Sequence, residues 1–137
     1  MKRKFYTLVL CLLLSVTVQA QRIVFEVIAK VPYDPRSQQY GKMEPREMKI
    51  IKRGDDAIYI GADRYDVVEV EERKNDSDVQ YVQYTAVDAA GAEWTIKVCH
   101  DGTIEHEVMR NYVLLFNNTQ IYDWTYYFTD AGVLTDK

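Results

Sequence analysis

Apolar and polar residues alternate through most of this chain, and turn-forming residues interrupt the alternation at short intervals. All six glycines fall between apolar runs rather than within them. Glycine adopts the positive φ angles that tight turns require, so this spacing marks the ends of short strands. After residue 21 no window has the sustained i, i+3, i+4, i+7 spacing of an amphipathic helix. The pattern predicts an all-β fold, an antiparallel meander of about eight or nine strands that forms a small barrel or a β-sandwich.

The first twenty residues have the three parts of a secretory signal peptide. A basic start (Met1–Lys4) precedes a largely apolar stretch (Phe5–Val18), and the small residue Ala20 follows. The apolar stretch is shorter than the roughly 20 residues that a membrane-spanning helix needs. We expect cleavage after Ala20, export to the periplasm or the medium, and one domain over residues 21–137 with no membrane insertion.

Charge and cysteine content narrow the classes of partner. The signal segment holds three of the 17 basic residues and no acid, so its removal changes the net charge from −4 to −7. An acidic domain lacks the basic footprint of proteins that bind nucleic acid or anionic membranes. Cys99 is the one cysteine after the signal segment, so an internal disulfide is excluded and stability must come from burial. The chain has no glycine-rich phosphate loop or CxxC motif, and we expect no cofactor.

A signal segment that ends at Ala20-Gln21, ahead of a short tyrosine-rich β domain, resembles the small uncharacterised exported proteins of Bacteroidota. The resemblance covers the style of the whole chain and carries no functional residue. The neighbour-to-neighbour connections favour a barrel shaped like the lipocalins (calycins), which is an analogy of architecture and implies no function.

The segment Ala92–Met109 carries Cys99 and both histidines, and we predict that it forms a β-hairpin. The preceding strand, Val79–Val87, aligns with Glu93–Cys99 so that apolar partners share one face. Those partners are Ala86 with Trp94, Tyr84 with Ile96 and Val82 with Val98. A three-residue loop, His100–Gly102, keeps the next strand in phase, whereas a two-residue turn does not. It aligns Val98 with Ile104, Ile96 with His106 and Trp94 with Val108.

This register separates the groups that could carry chemistry. His106 faces the interior, Cys99 and Glu105 face outward, and His100 lies in the loop. A zinc site needs three or four converging ligands, and a Cys–His nucleophile pair needs contact between its side chains. We therefore assign no catalytic residue and no metal ligand. A hydrolase or thiol enzyme built on Cys99, His100 and Glu105 ranks third among the functions considered.

Matching the apolar faces of the last strands in the same way predicts a tight turn at Arg110-Asn111 and a loop at Asn117–Gln120. The final strand then lines the interior with an aromatic row: Tyr122, Trp124, Tyr126 and Phe128. An outward apolar set also collects: Tyr112, Leu114, Phe116 and Ile121. A sheet that is apolar on both faces is expected to be covered on both.

Two functions lead the ranking. The first is non-enzymatic binding of a small apolar or aromatic ligand inside the barrel, beneath the long irregular segment Pro32–Pro45. Its expected contacts are Tyr84, Trp94, His106, Tyr122, Trp124 and Tyr126. The alternative is a structural or protein-interaction module, including self-association, that uses the outward set. The sequence identifies neither the ligand nor the partner.

Overall fold

The computed structural model describes residues 22–74, 79–120 and 123–135. These residues form ten antiparallel strands and one short 3-10 helix, Glu107–Met109. The strands are β1 (Arg22–Asp34), β2 (Gln39–Tyr40), β3 (Glu44–Arg53), β4 (Ala57–Ile60), β5 (Asp63–Lys74), β6 (Val79–Val87), β7 (Glu93–Asp101), β8 (Asn111–Asn117), β9 (Trp124–Thr129) and β10 (Val133–Thr135). The predicted signal peptide lies outside the described residues. In the part of the chain that is described, no helix is long and apolar enough to cross a membrane.

The strands close into an up-and-down barrel. From β3 to β9 each strand pairs with the next along the chain, and β1 pairs with both β3 and β9. These eight strands form the barrel, while β2 and β10 are short additions to β1. The predicted all-β meander and small barrel are confirmed, and the sandwich alternative is wrong because β1 and β9 join the two ends of the sheet.

Inward-facing apolar side chains fill the middle of the barrel. Four of them are almost completely enclosed: Ile50, Ile58, Ile96 and Val113. Around them pack residues from all eight barrel strands, including Phe25, Tyr65, Tyr84, Leu115 and Tyr127. Eight strands enclose a space that side chains can fill, and the burial of this apolar surface drives folding.

The β6–β7 pairing has the predicted register throughout. Ala86 lies opposite Trp94, and Tyr84 lies opposite Ile96. Asp88 stabilises the connecting loop: its Oδ1 accepts hydrogen bonds from the backbone N–H groups of Ala90 and Ala92, and its Oδ2 accepts one from Trp94 Nε1 at 2.8 Å. The Trp94 hydrogen bond, with those from the loop backbone, lowers the pKa of the Asp88 carboxyl.

The predicted strand after His100 is wrong. β7 pairs directly with β8, which places His100 opposite Asn111 and Val98 opposite Val113. The intervening residues 102–110 form a loop that contains the 3-10 helix, and His106 is exposed there instead of lying in the core. The β8 sequence, NYVLLFN, offers a continuous apolar run to β7, whereas TIEHEVM places charged groups at alternate positions.

The predicted register of the last strand is also wrong. Val113 lies opposite Tyr127, and Leu115 lies opposite Thr125. This pairing differs from the prediction by three residues, and an odd shift turns every side chain to the opposite face. The aromatic row therefore divides. Trp124, Tyr126 and Phe128 face outward, and Tyr122 and Ile121 lie outside the described residues.

Strand β1 changes face at a bulge between Val27 and Ala29. Val27 belongs to the inner core, whereas Ala29 and Val31 lie opposite Phe128 and Tyr126 on the outer face. The segment Pro32–Pro45 is largely regular rather than a long irregular loop. β1 runs on to Asp34, and β2 returns to pair with Tyr33 and Asp34.

Candidate ligand-binding groove

An aromatic cluster covers the outside of the barrel along β1, β8 and β9. We call it the outer aromatic cluster; its members are Tyr33, Tyr40, Tyr112, Phe116, Trp124, Tyr126 and Phe128. Tyr126 is central, with ring centroids 5.5 Å from Tyr112, 5.6 Å from Tyr40 and 5.9 Å from Tyr33. Phe116 and Trp124 stack at 4.7 Å. A barrel that met only water on this side would present polar residues here, so the cluster needs either a cover or a partner.

Two excursions from the barrel cover part of this face. One is residues 39–43, which fold back from the end of β1 and bring Tyr40 to 4.6 Å from the Tyr33 ring. The other is the 102–110 loop, in which Arg110 Nε donates a hydrogen bond to the Ile104 carbonyl at 2.7 Å. Beneath them Val31 and Leu114 are buried without belonging to the inner core. The outer face is thus a second apolar layer.

A groove of about 440 Å³ lies between the two excursions. We call it the outer groove. Its floor is formed by the sheet residues Val31, Tyr112, Tyr126 and Phe128, and its walls by Tyr40, Gly41, Met43, Asp101, Ile104 and Met109. Gly41 fits closely, because its backbone N–H donates to the Pro32 carbonyl at 2.7 Å and a Cβ there would lie 2.5 Å from Pro32 Cγ.

The polar groups of the groove floor are held in their neutral forms. Burial raises the pKa of both the Tyr112 and the Tyr126 hydroxyls. Burial also raises the pKa of the neighbouring Cys99 thiol to about 11. These hydroxyls can donate and accept hydrogen bonds but do not supply charge at neutral pH. Asp101 is the one acidic residue among the described residues that line the groove.

The predicted ligand contacts are distributed over three places. Tyr84 and Trp94 face inward as expected, where Tyr84 is core and the Trp94 ring packs edge-on against Tyr65 at 5.7 Å. His106 lies on the exposed loop. Trp124 and Tyr126 lie outside, beside three members of the predicted interface set: Tyr112, Leu114 and Phe116. Trp124 and Tyr126, which were predicted to face the interior, therefore share the outer surface with three residues of the predicted interface set.

The groove walls were not predicted from the sequence. Tyr40 and Met43 belong to the segment Pro32–Pro45, which was predicted to be a long irregular connection, and Ile104 and Met109 belong to the segment that was predicted to be a strand. A usable signal was present: Tyr33 and Tyr40 flank the turn residues 35–38, as partners in a short hairpin would. Nothing in sequence indicated that this hairpin folds over the outer face.

The described residues do not bring together the groups considered for a metal site or a Cys–His nucleophile pair. Within residues 22–74, 79–120 and 123–135, no three His, Cys, Asp or Glu side chains converge as metal ligands would. Cys99 and His100 point to opposite faces of β7; Cys99 shares a hydrogen bond with Tyr112, and His100 Nδ1 lies 2.7 Å from Asn111 Oδ1. A thiol with a raised pKa is a poor nucleophile at neutral pH.

Comparisons with known proteins add no relative to this description. A scan against protein-family models, a search of curated proteins and a search of solved structures each returned no match to this chain.

Proposed function

We propose that this chain is an exported, non-enzymatic binding protein that holds a small apolar, aromatic ligand in the outer groove. One observation carries the proposal. Two excursions rise from the barrel to enclose an aromatic face, yet they leave between them a groove of about 440 Å³. Such a volume lies within the range of roughly 300–1,000 Å³ that is usual for small-molecule sites.

The groove lining suits a flat ring system. The Tyr126 and Phe128 rings are stacked at 6.5 Å, and Tyr112 meets Phe128 edge-on at 6.1 Å, so a ligand ring would meet both faces and edges. Met43 and Met109 stand on opposite walls, and methionine adapts its shape to aromatic surfaces. The Tyr112 and Tyr126 hydroxyls supply neutral polar contacts that would orient a ligand.

A titration with N-phenyl-1-naphthylamine, a neutral aromatic fluorophore, tests this proposal. The probe should bind the purified domain with enhanced fluorescence, and the Met43→Gln/Met109→Gln double variant should weaken its affinity about tenfold. That figure assumes about 0.7 kcal/mol for each lost apolar contact. Val68→Gln, a change on the exposed outer side of β5, is the matched control and should leave the affinity unchanged. Equal affinity for the double variant and the wild type would refute the groove as the site.

Self-association through the same face is the second candidate. It is favoured by exposed apolar side chains at the groove rim, where Tyr40 is 62% exposed and Met43 and Val108 are also exposed. A second copy of the chain would then cover the outer aromatic cluster. Sedimentation velocity at tens of micromolar should reveal a dimer that Tyr40→Asp dissociates. A monomer under these conditions would count against this candidate.

A further inference from the structure

A second cavity lies at one end of the barrel, and Tyr112 is the one residue that it shares with the described lining of the outer groove. It measures about 370 Å³ and opens where β6 and β8 begin and β7 and β9 end. We call it the barrel-end cavity. Its apolar wall is formed by Ile23, Phe25, Val82 and Val98, which all pack with the inner core.

A row of three amide and imidazole side chains crosses the rim of this cavity. Gln80 lies opposite His100, and His100 lies opposite Asn111. By strand alternation all three share the face of Val82 and Val98, so they point toward the barrel axis. Asn111 Oδ1 accepts from His100 Nδ1 at 2.7 Å when the imidazole carries its proton there. The amide NH₂ groups of Gln80 and Asn111 are further hydrogen-bond donors along the rim.

A lysine adds positive charge inside the same end of the barrel. Lys52 lies opposite Ile23 and Ile58 and shares their inward face. Its side chain is only 15% exposed, and its Nζ lies 5.6 Å from the centroid of the Tyr84 ring. Its ion-pair partner is Asp55 at 3.6 Å, whose side chain is well exposed.

Acidic side chains do not oppose this charge at the cavity wall. None of the described residues that line the barrel-end cavity is acidic, although the chain as a whole carries a net charge of −4. Three described carboxylates adjoin the lining residues along the chain, and each has a local partner. Glu26 forms an ion pair with Lys49. Asp101 Oδ1 accepts from Thr103, and Asp130 Oδ1 accepts from the backbone N–H groups of Glu26 and Gly132. An apolar wall, a rim of donors and the largely covered side chain of Lys52 at the same end of the barrel together favour an anionic amphiphile.

We propose that the barrel-end cavity binds a medium-chain carboxylate. The hydrocarbon chain would lie among Ile23, Phe25 and Val98, and the carboxylate would meet the rim donors and the positive field of Lys52. If each heavy atom occupies about 30 Å³, as a water molecule does in the liquid, the cavity holds about twelve heavy atoms. Decanoate has that size. The inference stands on residues that are separate from the outer-groove walls Met43 and Met109, so it does not depend on the function proposed above.

Isothermal titration with decanoate and with 1-decanol tests the assignment. The wild-type domain should bind decanoate at least tenfold more tightly than 1-decanol, because only the carboxylate uses the donors and Lys52. Lys52→Met keeps an unbranched chain inside the barrel and should weaken decanoate about tenfold while leaving 1-decanol unchanged. Lys49→Met is the matched control on the same strand, at an exposed position paired with Glu26, and should change neither affinity.

Three results would overturn the proposal: no decanoate binding, equal affinity for the two probes, or an unchanged decanoate affinity in Lys52→Met. Circular dichroism shows whether that variant is folded. If it is not, Gln80→Leu at the rim takes its place, with the same expected loss for decanoate only. The Met43→Gln/Met109→Gln variant should bind decanoate as the wild type does, so that failure of the outer groove and failure of the barrel-end cavity give different results.

Discussion

Two valines five residues apart provide a direct test of the corrected strand order. Val113 on β8 is 0% exposed inside the barrel, whereas Val108 on the 3-10 helix is 47% exposed. A hairpin through Ala92–Met109 would instead bury both valines, with Val108 lying between Trp94 and Val113. Truncation of each valine to alanine removes the same two methyl groups, so any difference in the free energy of unfolding reports their surroundings.

The expected magnitudes are well separated. At Val113 the lost transfer free energy is about 1.6 kcal/mol, at about 0.8 kcal/mol for each buried carbon. A residual cavity of about 40 Å³ adds about 1 kcal/mol, since the cost is about 24 cal/mol per Å³. Val113→Ala should therefore cost about 2.5 kcal/mol and lower the Tm by about 10 °C. Val108→Ala should stay within about 0.5 kcal/mol of the wild type, as surface changes usually do.

Urea unfolding followed by tryptophan fluorescence measures both values, since Trp94 and Trp124 lie on opposite faces of the barrel. The slope of the free energy against urea should be equal in the three proteins, which shows that the two-state comparison is sound. Equal destabilisation by the two substitutions would refute the reasoning, because it would place Val108 in the core and residues 104–109 in a strand between β7 and β8.

Three further results are expected. Cys99 should resist a thiol reagent such as DTNB at pH 8 in the folded protein and react once urea unfolds it, because burial raises the pKa of its thiol to about 11; rapid labelling of the folded protein would contradict this. Gly132→Ala should destabilise the barrel in thermal unfolding, since Gly132 has φ +83° and a Cβ there would lie 2.7 Å from Phe25 Cε1; an unchanged Tm would contradict it. The carboxyl pKa of Asp88 is lowered on folding, so its contribution to stability is complete above the ordinary carboxyl pKa and is lost as the pH falls through the lowered value. Asp88→Asn should therefore cost stability in urea unfolding at pH 7 and progressively less toward pH 3; a cost independent of pH would show that the charge on Asp88 is not involved.

The β6–β7 register could be predicted because its two faces differ. Trp94, Ile96 and Val98 alternate with Thr95, Lys97 and Cys99, so only one register keeps the charge of Lys97 out of the interior. When one face of a strand is polar and the other apolar, the sequence of that strand determines its register. Asp88 also marks the turn between β6 and β7. Its Oδ1 accepts a hydrogen bond from the loop backbone at Ala92, and its Oδ2 accepts one from Trp94 near the start of β7.

The β8–β9 register could not be predicted because both faces of that pair are apolar. Tyr126 and Tyr127 are equally acceptable to an aliphatic neighbour, so alternation gives no preference for either. The choice depends on the outer cover, which comes from residues distant in sequence: Tyr40 from the segment after β1, and Met109 from the loop after β7. A pattern within one strand holds no information about such a cover.

The candidate sites lie elsewhere than predicted because side chains fill the middle of the barrel. Eight strands enclose a space about as wide as the side chains that fill it, and Ile50, Ile58, Ile96 and Val113 fill it here. A ligand site in this barrel must then lie where the filling stops, at an end, or outside the wall, where added segments form a second layer. The structure has both: the barrel-end cavity under the His100 row and the outer groove over Tyr126. Trp124 and Tyr126, which were expected to line a hollow interior, instead belong to the second layer. The donor side chains lie at the rim of the barrel-end cavity, and Lys52 lies opposite Ile23 of its wall. We propose a different ligand chemistry for each place, neutral and aromatic outside, anionic and aliphatic at the end. The two titrations proposed above test the two proposals separately, although Tyr112 lines both places.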